Sequence, residues 1–337
     1  MNAKKAGCWN VWATIMACLM LCAGSVSPAA AAEEKQLFRI GSATLGTAGY
    51  IHWEAVSFLV NKHSKRFKAS SFTTGGSTEC VYLLDQKKID IGHGTGLEVV
   101  AGAEGSAPFD KKYPVWQVFG WSMLSIPMVA RADNKSVNTY KDLVGKPVSL
   151  AKRGSGTESL YRILFTTLGV YDGVKKSYLG FAEGYDAVVD GNVVATPASM
   201  PDGVPVPQVQ DLGARIEFKV LPISREEIDK VTQANKAIVG AVVPKTAYAK
   251  MTQDVLVPAF ACIGISSPNV DDDTIYEFLK AVLDNVDELR TISKTTTAIT
   301  LQNALNWMLP GYPVHPGAAR YFKEKGVWRD DFVIGTR

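Results

Sequence analysis

The residues with the most evident chemistry lie in one short run, which reads Lys-Arg-Gly-Ser-Gly-Thr-Glu from 152 to 158. Ser155 and Glu158 have the spacing of a capping box, in which two side chains satisfy free backbone N–H groups at the start of a helix. The glycines let a ligand approach the backbone, and a helix N-terminus favours an anion. Arg153 could hold a carboxylate through two hydrogen bonds. The run predicts either a plain helix cap or an anion site, and we favour the anion site.

Other loops also place hydroxyls and glycines before a predicted helix, in the segments 44–50, 74–77 and 93–96. Each loop alone is a weak signal, because any turn between a strand and a helix favours Gly, Ser and Thr. Together, at the same end of a sheet, their donors suit a small polar acid better than an apolar ligand. We therefore expect a ligand site formed by Thr44, Thr47, Tyr50, Gly76, Ser77 and Thr95 from one lobe and by Arg153, Ser155, Gly156 and Thr157 from the other.

Motifs for catalysis are absent from the sequence. No serine lies in a GxSxG motif, there is no HExxH motif, and no phosphate-binding Walker loop is present. The four histidines are far apart along the chain, and Ser155 has no evident base beside it. We expect a binding protein rather than an enzyme, with no catalytic residue, no metal site and no cofactor.

The first residues have the three-part layout of a secretory signal peptide. Lys4 and Lys5 precede an apolar run of 13 residues, 11–23, and small residues follow up to Ala32. A helix that spans a membrane needs roughly 20 apolar residues, so a cleaved signal is the better interpretation. We expect residues 1–32 to be removed after Ala32 and the mature chain to reside in the periplasm.

The charge and the cysteines narrow the class of protein further. Loss of Lys4 and Lys5 with the signal reduces the formal charge from +3 to +1, which gives no support to nucleic acid or an anionic membrane as the main partner. Cys80 and Cys262 are the two cysteines left in the mature chain, and they could form one disulfide or remain two buried thiols. We expect a monomeric globular protein of two domains.

The periodicity of the chain predicts an α/β fold. Three units of strand, small-residue loop and helix follow one another from 37 to about 100, which indicates a parallel sheet with helices on both faces. We further expect a short helix over 137–144, a loop over 93–96 and a last third that is helical. The chain should leave the first lobe near 130 and return near 240, so that lobe 1 comprises 33–130 and 241–337 and lobe 2 comprises 131–240. Two α/β lobes joined by two crossings would enclose a ligand cleft.

Several motifs, taken in order, resemble those of one family of receptors. They are Ile40-Gly41 with the loop to Tyr50, Thr74-Gly75-Gly76-Ser77-Thr78-Glu79, the L-x-x-x-x-I-D-I-G pattern of 84–92, Asp142 to Val148, Gly154-Ser155-Gly156-Thr157, and Pro313 to Ala318. In these residues the chain resembles the TAXI group of solute-binding proteins, the receptors of tripartite ATP-independent periplasmic (TRAP) transporters.

The resemblance implies a bilobal type II periplasmic binding fold. It also implies a receptor that closes on a small organic acid or amino acid and delivers it to the membrane permease subunits of a TRAP-type transporter. Acidic ligands such as glutamate or 2-oxoglutarate are typical of the group.

Two alternatives remain from the sequence. One is the receptor of an ATP-driven importer, or a ligand-sensing partner of a signalling protein. The other is an exported enzyme on the same fold, in which Ser155 or Glu79 would be catalytic.

Overall fold

A computed structural model of the protein describes residues 35–45, 47–292 and 297–337. The predicted signal peptide lies outside the described residues. The described chain forms two sheets covered by helices. Its strands are β1 (Gln36–Gly41), β2 (Phe67–Phe72), β3 (Ile91–Thr95), β4 (Trp116–Ser125), β5 (Met128–Arg131), β6 (Pro147–Ser149), β7 (Lys175–Ser177), β8 (Ala195–Pro197), β9 (Met200–Pro201), β10 (Phe218–Val220), β11 (Ile238–Val243), β12 (Val255–Ser266), β13 (Pro313–Val314) and β14 (Val333–Ile334).

The helices cover the faces and the ends of these sheets. They are α1 (Ala48–His63), α2 (Ser77–Asp85), α3 (Gly96–Glu104), α4 (Gly156–Thr167), α5 (Phe181–Val189), α6 (Pro207–Arg215), α7 (Arg225–Ala234), α8 (Asp272–Leu283), α9 (Val286–Ile292), α10 (Leu301–Asn306) and α11 (Pro316–Glu324).

The larger sheet has nine strands and begins with the predicted parallel units. Strands β2, β1 and β3 run parallel, and α1, α2 and α3 follow β1, β2 and β3 in the chain. The sheet continues through β12, which pairs antiparallel with both β3 and β4, and β13 then joins β4 in parallel. Phe38 and Phe119 in the strands and Trp53 in α1 are fully buried, so this lobe has a substantial apolar core.

The smaller sheet has five strands in the order β10, β5, β8, β6, β7. Parallel pairing of β6 with β7 and β8 contrasts with the antiparallel pairing of β5 with β8 and β10. The chain enters this sheet at β5 and leaves it after β10, while β9 pairs back onto β4 of the larger sheet. The residues predicted as lobe boundaries, 130 and 240, fall within β5 and β11, and the boundaries stay a prediction.

Three predicted elements are wrong. The helix expected over 137–144 is only a single 3₁₀ turn, Lys141–Leu143, because the Asp142 carboxylate accepts the backbone N–H groups of Asn138 and Thr139 and holds the segment as a turn. The loop expected over 93–96 does not form, since β3 extends to Thr95 and α3 begins at the next residue.

The last third is also not simply helical, because β12 crosses it as a strand of 12 residues. Every one of its residues from Val257 to Ser266 is buried. A strand covered on both faces has no alternation of apolar and polar residues, and that periodicity is the usual sequence signal of a strand.

The thiols of Cys80 and Cys262 are both buried and unpaired, so the alternative of a disulfide between them is excluded. Within the described part of the chain, no helix combines the length and the apolar character that crossing a membrane requires.

Candidate ligand-binding site

A cavity of about 70 Å³ lies where segments of the two sheets meet, and we call it the inner cavity. Its volume is several times the space that one water molecule needs. None of its described lining residues is charged. It brings together eight of the ten predicted residues: Thr44, Thr47, Gly76, Ser77, Thr95, Ser155, Gly156 and Thr157.

Two predicted residues lie elsewhere. Tyr50 is in the first turn of α1 and donates its backbone N–H to the hydroxyl of Thr47. Arg153 does not line the inner cavity, and its guanidinium lies 3.5 Å from the ring centroid of Tyr178. An arginine stacked on an aromatic face in this way is stabilised there by the ring quadrupole.

Four helices begin at the inner cavity. Thr47, Thr95 and Ser155 are the N-caps of α1, α3 and α4, and each hydroxyl accepts a backbone N–H from the first turn of its helix. Helix α2 begins after Gly76, whose φ of 131° suits glycine. The positive ends of the α1, α2 and α4 dipoles favour an anion at this uncharged cavity, whereas the Glu98 carboxyl already caps α3.

Backbone donors face the cavity region from both lobes. The N–H groups of Ser77 and Thr78 in α2 and of Gly156 and Thr157 in α4 have no acceptor among the described residues. The lobes are in close contact at this point, because a Cβ atom added to Gly76 would lie 3.2 Å from the carbonyl oxygen of Gly154. Donors without a described acceptor thus lie on both α2 and α4, where segments of the two lobes are in contact.

The predicted capping box of Ser155 and Glu158 forms only in part. The backbone N–H of Glu158 donates to the Ser155 hydroxyl at 3.2 Å. The backbone N–H of Ser155 instead donates to the carbonyl of Lys152, and the Glu158 carboxylate lies 3.8 Å from the guanidinium of Arg162. The negative charge of Glu158 is therefore directed along the helix rather than back onto its N-terminus.

A complete capping box forms instead at the start of α3. The carboxylate of Glu98 accepts the hydroxyl of Thr95 at 2.5 Å and the backbone N–H of Thr95 at 3.2 Å. Glu98 is fully buried, and burial raises the pKa of its carboxyl. The residues 95–98 have the T-x-x-E pattern, so the capping signal used for Ser155 could have identified this box as well.

An aromatic group that the sequence did not predict lies at the inner cavity. His93 and Trp121 line it, and the indole Nε1 of Trp53 donates to Nδ1 of His93 at 3.4 Å. Trp121 stacks on His52 with a centroid distance of 4.1 Å. Burial lowers the pKa of His93 to about 4 and that of His52 well below its usual value, which keeps both rings neutral near neutral pH.

A second, outer cavity of about 190 Å³ adjoins the first. The two share Thr44, Thr47, Ser155 and Phe181 as lining residues. Unlike the inner cavity, the outer one is lined by charged residues. They are Lys152 and Glu183, both exposed, and Lys152 makes no ion pair within the described part of the chain.

His315 is not at either cavity. It is buried at the start of α11, where Nδ1 accepts the backbone N–H of Gly317 and Nε2 lies 3.1 Å from the carbonyl of Val270. Across residues 35–45, 47–292 and 297–337, no group of three or more His, Cys, Asp or Glu side chains is placed to hold a metal ion.

Solved structures with a similar fold include a putative L-cystine ABC transporter protein from Listeria monocytogenes. It is 17% identical, with a TM-score of 0.50 over 78% of this chain and 97% of that one. Another is XAC2383 from Xanthomonas citri bound to ATP, 11% identical with a TM-score of 0.51 over 77% of this chain and 88% of that one. At these identities the likeness concerns the fold. The sequence profile of the NMT1-like family matches residues 40–326, so the chain belongs to the NMT1-like family and has the two-lobed α/β fold of periplasmic binding proteins.

Proposed function

We propose that the protein is an extracytoplasmic solute-binding receptor that closes on a small organic acid or amino acid in the inner cavity. The observation that carries this proposal is the meeting of four helix N-termini at an uncharged cavity between the lobes. Free N–H groups from α2 and α4 lie on opposite sides of it. A carboxylate bound between them would stabilise the closed state by contacting both lobes at once.

The proposed contacts combine backbone donors with hydroxyls. We assign binding to the eight predicted residues that line the inner cavity. Tyr50 and Arg153 do not line it, and their predicted contact with the ligand stays a prediction. The cavity excludes an extended apolar ligand by its size and by its many polar donors.

A screen of the mature protein, residues 33–337, tests binding most simply. A ligand that binds only the folded state at 100 times its Kd adds about 2.7 kcal/mol of stability. We expect one or more small organic acids or amino acids to raise the unfolding temperature by several degrees. If no acid in a broad panel shifts unfolding while neutral solutes do, the proposed ligand class is wrong.

We further propose delivery to a TRAP-type permease from the periplasm, on the strength of the motifs that resemble the TAXI group. The alternative is an ATP-driven importer, favoured by the solved L-cystine ABC transporter protein of similar fold. Uptake into proteoliposomes that hold the cognate permease separates the two. A requirement for an ion gradient without ATP supports the first, and a requirement for ATP hydrolysis supports the second. Mass spectrometry of the exported chain would test cleavage after Ala32.

An enzymatic role has little support in the geometry. The hydroxyl of Ser155 donates to the carbonyl of Lys152 and caps α4, while the carboxylate of Glu79 accepts the backbone N–H of Gly75. The Ser155 hydroxyl and the Glu79 carboxylate thus both hydrogen-bond to nearby backbone groups and stabilise the local fold. We expect a bound acid to be recovered unchanged after incubation with the protein, as followed by NMR of the acid.

A further inference from the structure

The imidazole of His93 accepts a hydrogen bond from a buried residue outside the inner cavity. Trp53 is fully buried and does not line the inner cavity, and its indole N–H donates to Nδ1 of His93 at 3.4 Å. A neutral imidazole carries a single proton, and a nitrogen that accepts a hydrogen bond cannot carry it. The proton of His93 therefore resides on Nε2, which has no partner among the described residues.

A second donor beside the inner cavity also lacks a partner. Trp121 lines the cavity, is only 1% exposed, and has no hydrogen-bond acceptor for its Nε1 within the described chain. An indole N–H can only donate, and a buried donor without an acceptor costs free energy. A ligand oxygen in the cavity would satisfy it.

We propose that Trp53 fixes the tautomer of His93, so that the inner cavity presents the Nε2–H of His93 and the Nε1–H of Trp121 to the end of the ligand that only accepts hydrogen bonds. This inference rests on the proposed solute-binding function and deepens it. Trp53 is a positioning residue, while His93 and Trp121 contact the ligand. The buried end of the ligand is a carboxylate, sulfonate or similar oxygen-rich anion, and an ammonium group is excluded from this end because it would face donors.

The neutrality of the cavity supports this assignment. None of its described lining residues is charged, and burial lowers the pKa of His93 to about 4. The ring thus stays neutral throughout the neutral range, and the bond that Nδ1 accepts from Trp53 leaves its single proton on Nε2. Were His93 to carry the proton on Nδ1 instead, Nε2 would offer a lone pair to the ligand anion and repel it.

The tautomer of His93 can be determined by NMR in the absence of a ligand. In protein labelled with ¹⁵N at histidine, we expect the shifts of His93 to show a protonated Nε2 and an unprotonated Nδ1 from pH 6 to 8. Trp53→Phe keeps an aromatic ring but removes the N–H, so His93 should become a mixture of tautomers. Protonation on Nδ1 in the wild type, or an unchanged His93 spectrum in Trp53→Phe, would overturn the role of Trp53.

Binding is tested with acetate, the simplest carboxylate probe, and with methylammonium, a simple ammonium probe. Acetate should shift the His93 Nε2–H and Trp121 Nε1–H resonances, and methylammonium should shift neither. We expect the affinity for acetate to fall at least fivefold in His93→Phe and two- to fivefold in Trp53→Phe and Trp121→Phe. Trp328→Phe, a partly buried tryptophan that does not line the cavity, is the matched control and should stay within twofold.

The outcomes separate this inference from the proposed function. If acids bind the wild type but bind His93→Phe, Trp53→Phe and Trp121→Phe equally well, the donor pair is wrong and the receptor function stands. If no acid binds the wild type at all, the receptor function fails, while the ¹⁵N spectra still decide the role of Trp53. Unfolding curves identify any variant that does not fold. The affinities of the variants that do fold then test the proposed donor pair.

Discussion

The inner and outer cavities adjoin each other, yet they offer opposite kinds of polarity. The inner one has backbone N–H groups, hydroxyls and neutral rings but no charged side chain in its described lining, whereas the outer one has the exposed Lys152 and Glu183. Fixed dipoles act strongly where water is excluded, and exposed charges are screened by solvent. We therefore expect the uncharged cavity to contribute more to affinity than the charged one.

The largest effect on this comparison should come from Gly76→Ala. Its φ of 131° is unfavourable for a residue with a side chain, and the new Cβ atom would lie 3.2 Å from the Gly154 carbonyl oxygen of the facing lobe. Both effects oppose closure over the inner cavity. We expect affinity for the acid identified by the screen to fall by about 30-fold or more, measured by calorimetry.

Gly169→Ala is the matched control for that variant. Gly169 also has a positive φ, 70°, but nothing lies within 4 Å of an added Cβ atom. It should lose about 1–2 kcal/mol of stability from backbone strain and leave affinity unchanged. Equal losses of affinity in the two variants would show that strain rather than lobe contact determines binding.

The pH dependence of stability should depend in part on His315, which lines neither cavity. Burial lowers the pKa of His315 to about 4, well below its value in the unfolded chain. Between about pH 6.5 and 4 the unfolded state then binds more protons than the native state, so stability falls as the pH falls. Each pH unit in this window should remove up to about 1.4 kcal/mol for one such imidazole.

His315→Asn tests this source of acid sensitivity. Asparagine can still accept the N–H that His315 accepts from Gly317, but it does not titrate. Denaturant unfolding at pH 7 and pH 5 should show a smaller loss of stability for the variant than for the wild type. An identical loss in both proteins would assign the acid sensitivity to other groups, such as His52 and His93.

A smaller effect is expected from the two neighbouring cations. Lys152 lines the outer cavity without an ion pair in the described chain, while Arg153 lies on the ring of Tyr178. We expect Lys152→Gln to weaken binding of an acid two- to fivefold, less at high salt, and Arg153→Gln to change it by less than twofold. A larger loss for Arg153→Gln in calorimetry would mean that Arg153 leaves Tyr178 when the ligand binds.

Local signals predict some of the site residues, whereas others depend on contacts between distant parts of the chain. Ser155 and Thr47 were found because a helix start has local signals that a reader can see in a few residues. His93 and Trp121 were not predicted because they lie on different strands, β3 and β4. These strands meet at one cavity only because β12, far along the chain, pairs with both. The direction of the Arg153 side chain could not be predicted either, since it depends on a contact with Tyr178, which follows β7, 25 residues further along the chain.

The central claim is that backbone donors of α2 and α4 hold an acid between the lobes. Its most direct test is an NMR titration of ¹⁵N-labelled mature protein with the acid that stabilises it most in the screen. The account predicts that the amide resonances of Ser77, Thr78, Gly156 and Thr157 move together and reach saturation with one Kd. Saturable binding that leaves all four resonances unmoved would contradict it.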